Sequence, residues 1–465
     1  MIAGLDLGSS AVKLLLVENN RQQFAFRSAH SNRSMKELWE SVLDVFQQAD
    51  RSVGCSHIEA LGIASQSCSY ILYDGTEDSP FYDWSYSTDK RYVQQVKRMF
   101  SQDDFVKYTS MLCPLMSSYP MPRILWLQRE KKDEWDRMQK LLQPKDFVYH
   151  CLTGIFASDR FTWRGLANLE KNKFEEEALR QIGINRERLP RLSEITESPG
   201  CISDKAAKEL HMKIGTPVFL GCNDFFSSLL GMGITKKGQN FDVTGTSEHI
   251  GTITGSFQMT EKIISGAYIR DYVLYGVNSN SGRSIQWMNY CFPADKEVDV
   301  GETLENDPPV FLPYLEGERA PVWKDRASGV FWGIKSRHRV KDFRYAVYEG
   351  VVLNLYHIWK YVTQKGNGVI VVGGGSSKNE LLNLMKASLF EKELVILEEK
   401  EASALGAVIC AATGSGKYAD LKEAASRLVK ISHIVSGKKE IGDALRERFH
   451  VYERLVMQMM PLWEE

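Results

Sequence analysis

Apolar positions at the start of the chain fall into two short runs, Ile2 to Leu7 and Val12 to Val17, separated by the polar triplet Gly8-Ser9-Ser10. Short runs bounded by Gly and Ser predict a β-hairpin with a small polar tip. Strand-like apolar runs recur at Ile58 to Ala64, Thr216 to Gly221 and Val369 to Val372, with amphipathic helical stretches between them. That alternation predicts an α/β fold. Residues 215–233 read as strand, turn and helix, and residues 368–379 as a buried strand running into a glycine turn and a helix. A chain of 465 residues is too long for one core, which predicts two domains. The segment Gly233 to Gly238 is the expected boundary, giving 1–237 and 238–465.

Composition narrows the class. With 58 Lys and Arg against 59 Asp and Glu, the formal charge is -1, which argues against a general nucleic-acid-binding surface. No run of eighteen apolar residues occurs, so no membrane helix is expected. The N-terminus enters a strand at once, without a basic start and an apolar core, so secretion is not expected. Eight cysteines lie scattered without C-x-x-C pairs or Cys/His ligand spacing. They read as cytoplasmic thiols rather than disulfides or zinc ligands.

Several short patterns carry candidate chemistry. Asp6 stands inside an apolar strand just before the glycine turn, where a buried carboxylate is costly unless cations or donors meet it. The Gly8-Ser9-Ser10 tip offers backbone N–H groups and hydroxyls to a phosphate, Asp6 suits a nucleotide's magnesium, and Lys13 adds positive charge. The competing reading is an ordinary hairpin with a turn aspartate. Asp224, between strand and helix, is either the helix N-cap or the acceptor of a proton from an attacking hydroxyl. Asp242-Val-Thr244-Gly245-Thr246-Ser247 echoes the first turn and is either a second phosphate loop or a solvated turn. At Gly373-Gly374-Gly375 the dinucleotide pattern G-x-G-x-x-G fails, because Lys378 stands where the last glycine belongs. Three glycines still let a flat ring approach the backbone, so an adenine site remains open, with Asn379 at its edge. The P-loop fragment Gly414-Ser-Gly-Lys417 lacks its upstream glycine, and Tyr418 replaces the required Ser or Thr.

Taken in order, these motifs resemble the FGGY family of carbohydrate kinases. Asp6-Leu-Gly-Ser-Ser-x-x-Lys13 is similar to its first phosphate loop, and residues 118–130 to its first signature, with Arg123 where Lys is usual. Pro144-Lys145-Asp146 and Leu152-Thr-Gly154 are similar to the stretch that follows. Gly221-x-x-Asp224 is similar to the catalytic-base motif and Thr244-Gly-Thr-Ser247 to the second phosphate loop. Residues 311–321 carry the resemblance on, residues 329–349 follow the second signature, Gly373-Gly-Gly375 the adenosine motif, and Glu401-x-x-Ala404-Leu-Gly406-Ala407 the closing helix. The resemblance implies two actin-like (ribonuclease H-like) ATPase domains around a central cleft. It also implies a sugar and catalytic-base domain followed by a nucleotide domain.

The same resemblance implies ATP and Mg2+ as cofactors, a small-molecule sugar as substrate, and a homodimer. Asp224 would be the general base. Asp6, Gly8, Ser9, Ser10, Lys13, Thr244, Gly245, Thr246, Gly373, Gly374, Gly375 and Asn379 would hold the nucleotide, with Asp6 on the metal. Gln66, Ser67, Trp84, Asp89, Arg91, Asp224 and Phe225 would face the sugar. Here the chain departs from the xylulose kinases it otherwise follows. Ser65-Gln66-Ser67-Cys68 replaces Gln-Met-His-Gly, and Trp84 stands in for an aromatic displaced from Thr88-Asp89-Lys90-Arg91. Asp159-Arg-Phe161 replaces Asp-x-Ser, with Trp163 and Arg164 adding bulk. The rival expectations are a catalytically silent sugar or nucleotide sensor and an actin-like or chaperone-type ATPase.

Overall fold

The computed structural model describes residues 1–31, 33–76, 78–86, 89–112, 116–293, 303–304, 306–363, 365–366 and 368–464. Thr88 of the Asp89 motif lies outside the described residues. Two compact units form, Met1–Thr235 with Glu401–Val429 and Lys236–Lys400 with Lys430–Glu465.

The first unit is built on a mixed six-stranded sheet. Strand Ile2–Leu7 pairs antiparallel with Ala11–Glu18, setting Asp6 opposite Lys13, and parallel with Ala60–Ser65. Arg21–Ala29 and Pro217–Phe219 extend the two sides. Helix Met35–Val53, capped by Ser34, buries Leu38, Val42, Val45 and Phe46, spaced as an amphipathic helix requires. These residues join Ala3, Leu5, Leu7 and Ile63 in one core.

The other face is covered by helix Ala402–Gly414, which arrives from the far end of the chain. Its approach demands glycine. A Cβ at Gly4 would fall 2.1 Å from the Ala404 carbonyl, and one at Gly62 2.1 Å from that of Ala407. Residues 401–429 therefore complete the first unit, whereas the sequence boundary assigned them to the second. Contacts at such range leave no mark in local patterning.

In the second unit, strand Asn240–Thr244 pairs antiparallel with Glu248–Thr254 and parallel with Ile370–Gly374. Leu394–Leu397 and Ile431–Val435 extend one side, and Asp271–Asn278 and Ile264–Tyr268 the other. The arrangement repeats that of the first unit: a strand paired antiparallel to its successor and parallel to a later strand. The echo between Asp6 and Asp242 thus falls on corresponding hairpins. The long helix Val340–Tyr361 buries Val351, Val352, Leu355 and Ile358 in this unit's core, where Phe449 and Tyr452 of helix Lys439–Met459 meet them. Among the described residues no helix is long and apolar enough to cross a membrane.

Glu318, in the 311–321 stretch of the family resemblance, is buried and accepts from the Ser279 and Arg319 N–H groups and Asn354 Nδ2 at 2.8, 2.7 and 3.0 Å. Burial nonetheless pushes its pKa from 4.5 up to about 7. The fold favours the protonated acid, so this contribution is complete below the unfolded value and lost as pH rises through the folded one. Glu318→Gln removes that loss. The Tm of the variant minus that of the wild type is expected to increase between about pH 5 and about pH 7, as measured by scanning calorimetry. A difference independent of pH would contradict it.

Candidate active site

Strand Pro217–Phe219 delivers the chain to a tight turn at Gly221, whose φ is +57° and where a Cβ would lie 2.1 Å from the Ile63 carbonyl. Asn223 then caps helix Asp224–Gly231, its side chain accepting from the Phe226 N–H at 3.0 Å. Asn223 Nδ2 also donates to the Phe161 carbonyl at 2.7 Å, and its backbone bridges to Ser65. The cap reading of the sequence therefore belongs to Asn223. Asp224 is the first helical residue, with Oδ1 accepting from the Phe225 N–H at 2.8 Å. Its carboxylate stands where the helix dipole favours negative charge. Enclosure raises its pKa, opposed by the positive charge of Arg164.

Asp6 is 6% exposed at the end of its strand. Ser403 Oγ donates to its Oδ1 at 2.9 Å, and Ser227 Oγ donates to the Ser403 carbonyl at 2.8 Å. A single residue of the closing helix thus links Asp6 to the helix of Asp224. The Asp6 pKa is pushed up to about 6, first by burial; Lys13 opposes this, while the charges of Asp224 and Glu401 add to it. The charge of Asp224 raises the proton affinity of Asp6, an excess of negative charge that Lys13 offsets only in part. That excess suits a magnesium ion, which keeps most of its waters and takes one or two protein carboxylates. Among the described residues, no group of three His, Cys, Asp or Glu forms a complete metal cage.

The rest of the first hairpin differs in part from expectation. The Gly8 N–H donates to the Ala11 carbonyl at 3.1 Å, so it closes the turn rather than facing outward. Ser9 and Ser10 are exposed at the tip. Lys13, assigned to phosphate from sequence, forms an ion pair with Glu401.

The sugar-facing residues divide into two groups. Gln66 is buried next to the bridge between Ser65 and Asn223, its N–H donating to the Leu7 carbonyl at 2.9 Å. Ser67 follows, and Cys68 has a φ of +63°, its N–H held by Gln143 Oε1 at 2.9 Å. Phe225 packs edge-on to Phe226, which contacts Phe161 at 4.7 Å between ring centroids. These residues gather around Asp224. By contrast, Asp89 and Arg91 are exposed and form a surface network at a helix start, with Arg91 pairing with Asp89 at 3.2 Å and with Glu130. Trp84 is 49% exposed, with its N–H donating to Ser69 Oγ. Trp163 is fully buried and donates to Asp146 Oδ2 at 3.0 Å, so it is part of the core.

The second unit brings the remaining candidates together. Thr244 Oγ1 donates to the Gly373 carbonyl at 3.0 Å and accepts from the Ser376 N–H at 3.1 Å. Gly374, with φ of +99°, passes so close that a Cβ would lie 2.1 Å from the Thr244 carbonyl. Turn and loop form one wall of a cavity of about 390 Å3 lined by Gly245, Thr246, Gly375, Ser376, Lys378 and Asn379. Gly282, Ile285, Gln286 and Leu382 complete the lining. A Cβ at Gly375 would meet nothing within 4 Å, so this backbone is open to a flat ring. Asn379 spends its Oδ1 capping helix Glu380–Phe390, accepting from the Leu382 N–H at 2.9 Å.

Three groups were missed or left without a role in sequence: Ser403, Glu401 and the buried pair Lys145–Asp159. Their signals lay in motifs already read, the closing helix, the Pro144-Lys145-Asp146 stretch and Asp159-Arg-Phe161.

Comparisons with known proteins agree with this picture. Residues 1–231 match the N-terminal domain of the FGGY family of carbohydrate kinases, and residues 242–415 its C-terminal domain. The chain is 26% identical over 451 residues to a gluconokinase of Bacillus subtilis, covering 89% of this chain and 87% of the relative. It is 26% identical over 458 residues to a xylulose kinase of Lactococcus lactis, covering 90% and 89%. The ligand-bound crystal structure of xylulose kinase from Lactobacillus acidophilus shares the fold with a TM-score of 0.87 at 23% identity, over 98% of each chain.

Proposed function

Because this chain belongs to the FGGY family of carbohydrate kinases and has its two-domain actin-like fold, we propose that it transfers the γ-phosphate of ATP to a hydroxyl of a ketose or related polyol. The acceptor binds in the first unit beside Asp224, Gln66, Ser67 and Phe225. The nucleotide binds in the second unit, in the cavity walled by residues 245–246 and 375–379. The observation that carries this reading is the release of Asp224 from the capping role, which Asn223 takes. A carboxylate held at a helix start, with its proton affinity raised and a cation opposing it, is placed to take the hydroxyl proton.

The chemistry then follows from the residues. Asp224 accepts the proton as the sugar oxygen attacks. Gln66 and Ser67 offer amide and hydroxyl groups to a polyol's rim. Ser9 and Ser10 at one tip, and the 245–246 loop at the other, offer uncharged donors to phosphate oxygens. Asp6, oriented by Ser403, would hold magnesium through water. When bound, that ion neutralises charge on the β- and γ-phosphates. The Lys13–Glu401 pair fixes the position beside Asp6, and Lys13 supplies the positive charge nearest to it.

The test is a coupled assay of ADP formation with magnesium, ATP and a panel of xylulose, ribulose, fuculose, rhamnulose, gluconate and glycerol. Sugar-dependent ADP release with at least one ketose or polyol acid is the expected result. Turnover with none of them would contradict the proposed acceptor class.

A further inference from the structure

We propose that Lys386, together with Asp242 and Glu248, is a positioning cluster that sets the shape of the nucleotide cavity without touching the nucleotide. The inference rests on the reading that this cavity takes ATP. Lys386 Nζ lies 2.6 Å from Asp242 Oδ2 and 2.6 Å from Glu248 Oε1, and all three side chains are 1% exposed. Ser281 Oγ donates to the other oxygen of Glu248. Each partner comes from a different element around the cavity. Asp242 and Glu248 stand on the two strands that flank the 245–247 loop. Lys386 belongs to helix Glu380–Phe390, whose Leu382 lines one side. Ser281 begins helix Ser281–Cys291, whose Gly282 and Gln286 line the other. That helix start also donates from the Gly282 and Arg283 N–H groups to the Gly245 and Thr246 carbonyls, at 3.1 and 3.2 Å.

The ammonium therefore ties both strands of the loop to helix Glu380–Phe390, and Glu248 extends the tie to helix Ser281–Cys291. Two carboxylates face this single cation. Burial and the charge of Glu248 raise the proton affinity of Asp242. Apolar side chains of similar volume would serve stability as well or better. What they would not do is fix three elements at fixed angles through directed bonds.

The experiment is calorimetric titration of magnesium-ADP into wild type, Lys386→Met, Ser281→Ala and the charge-balanced Lys386→Met/Glu248→Gln. Lys386→Met is expected to raise the ADP Kd by about tenfold or more, the loss of one well-placed interaction, while the KM for the sugar stays within about twofold. The double variant is expected to regain Tm without regaining affinity, which a merely structural role would not produce. Should Lys386→Met fail to fold, Ser281→Ala carries the test through a smaller but measurable rise in Kd. Folded variants that bind ADP as wild type does would overturn the positioning role alone. A wild type that does not bind ADP would overturn the nucleotide assignment as well.

Discussion

Asp224→Asn is expected to lower sugar-dependent turnover by about 100-fold or more while leaving the affinity for ADP within a few-fold of wild type. The amide has nearly the shape of the carboxylate and can still accept the Phe225 N–H, so the start of helix Asp224–Gly231 should persist. What it lacks is the capacity to hold a proton. Stability is expected to move the other way. The pKa of Asp224 is raised in the fold, so its ionised form detracts from stability above that value, and Asn carries no such loss. A variant more stable than wild type at neutral pH, with intact ADP binding and little turnover, is the signature of a lost base. Turnover comparable to wild type would remove Asp224 from that role. A fall in turnover accompanied by lost ADP binding and lost Tm would reassign it to structure.

The second large effect is on stability. Lys145→Met is expected to cost about 3–5 kcal/mol, because it leaves Asp159 charged and uncompensated in the core. Both side chains are 0% exposed. Asp159 already accepts from the Phe161 and Thr162 N–H groups at 2.7 and 3.1 Å, so it has formed the turn that its charge would then disrupt. The Phe161 carbonyl in this turn receives Asn223 Nδ2, and Lys145 Nζ reaches the Gly221 carbonyl at 3.4 Å. The pair thus braces the loop that carries Asp224. At roughly 2–4 °C per kcal/mol, Tm should fall by about 6–20 °C in thermal denaturation. Adding Asp159→Asn should recover part of the loss, since it removes the stranded charge. A Tm within about 3 °C of wild type would contradict the ion pair's role.

Much of this site was readable because its signals are local. A glycine-serine tip between two apolar runs specifies a hairpin wherever it occurs, and both hairpins formed where the pattern placed them. Rejecting the Gly414 P-loop was also a local judgement. Gly414 ends a helix, where a Cβ would fall 2.2 Å from the Thr196 carbonyl. Where the structure departs from that reading, the partners lie mostly outside the motif. Asn223 and Asp224 are both good capping residues, and only the fold shows which one turns toward the helix. Lys13 looked free for phosphate because its partner, Glu401, lies 388 positions away. Asp89 and Arg91 matched a motif, yet their charges are met by each other and by Glu130 at the surface. Trp163 reads in sequence as bulk beside the sugar-facing residues, but a buried carboxylate claims its indole N–H. Asp6 and Asp242 looked alike in sequence. Asp6 faces Lys13 and Asp224 at a strand end, whereas Asp242 shares the buried Lys386 with Glu248.

Phosphorus NMR of the wild-type enzyme incubated with ATP, magnesium and its best acceptor tests the phosphotransfer most directly. The expected spectrum shows a phosphomonoester of the sugar growing in step with ADP, with no matching inorganic phosphate. ADP accompanied only by inorganic phosphate, whatever sugar is supplied, would show an ATP hydrolase and contradict Asp224 as the base of a sugar kinase.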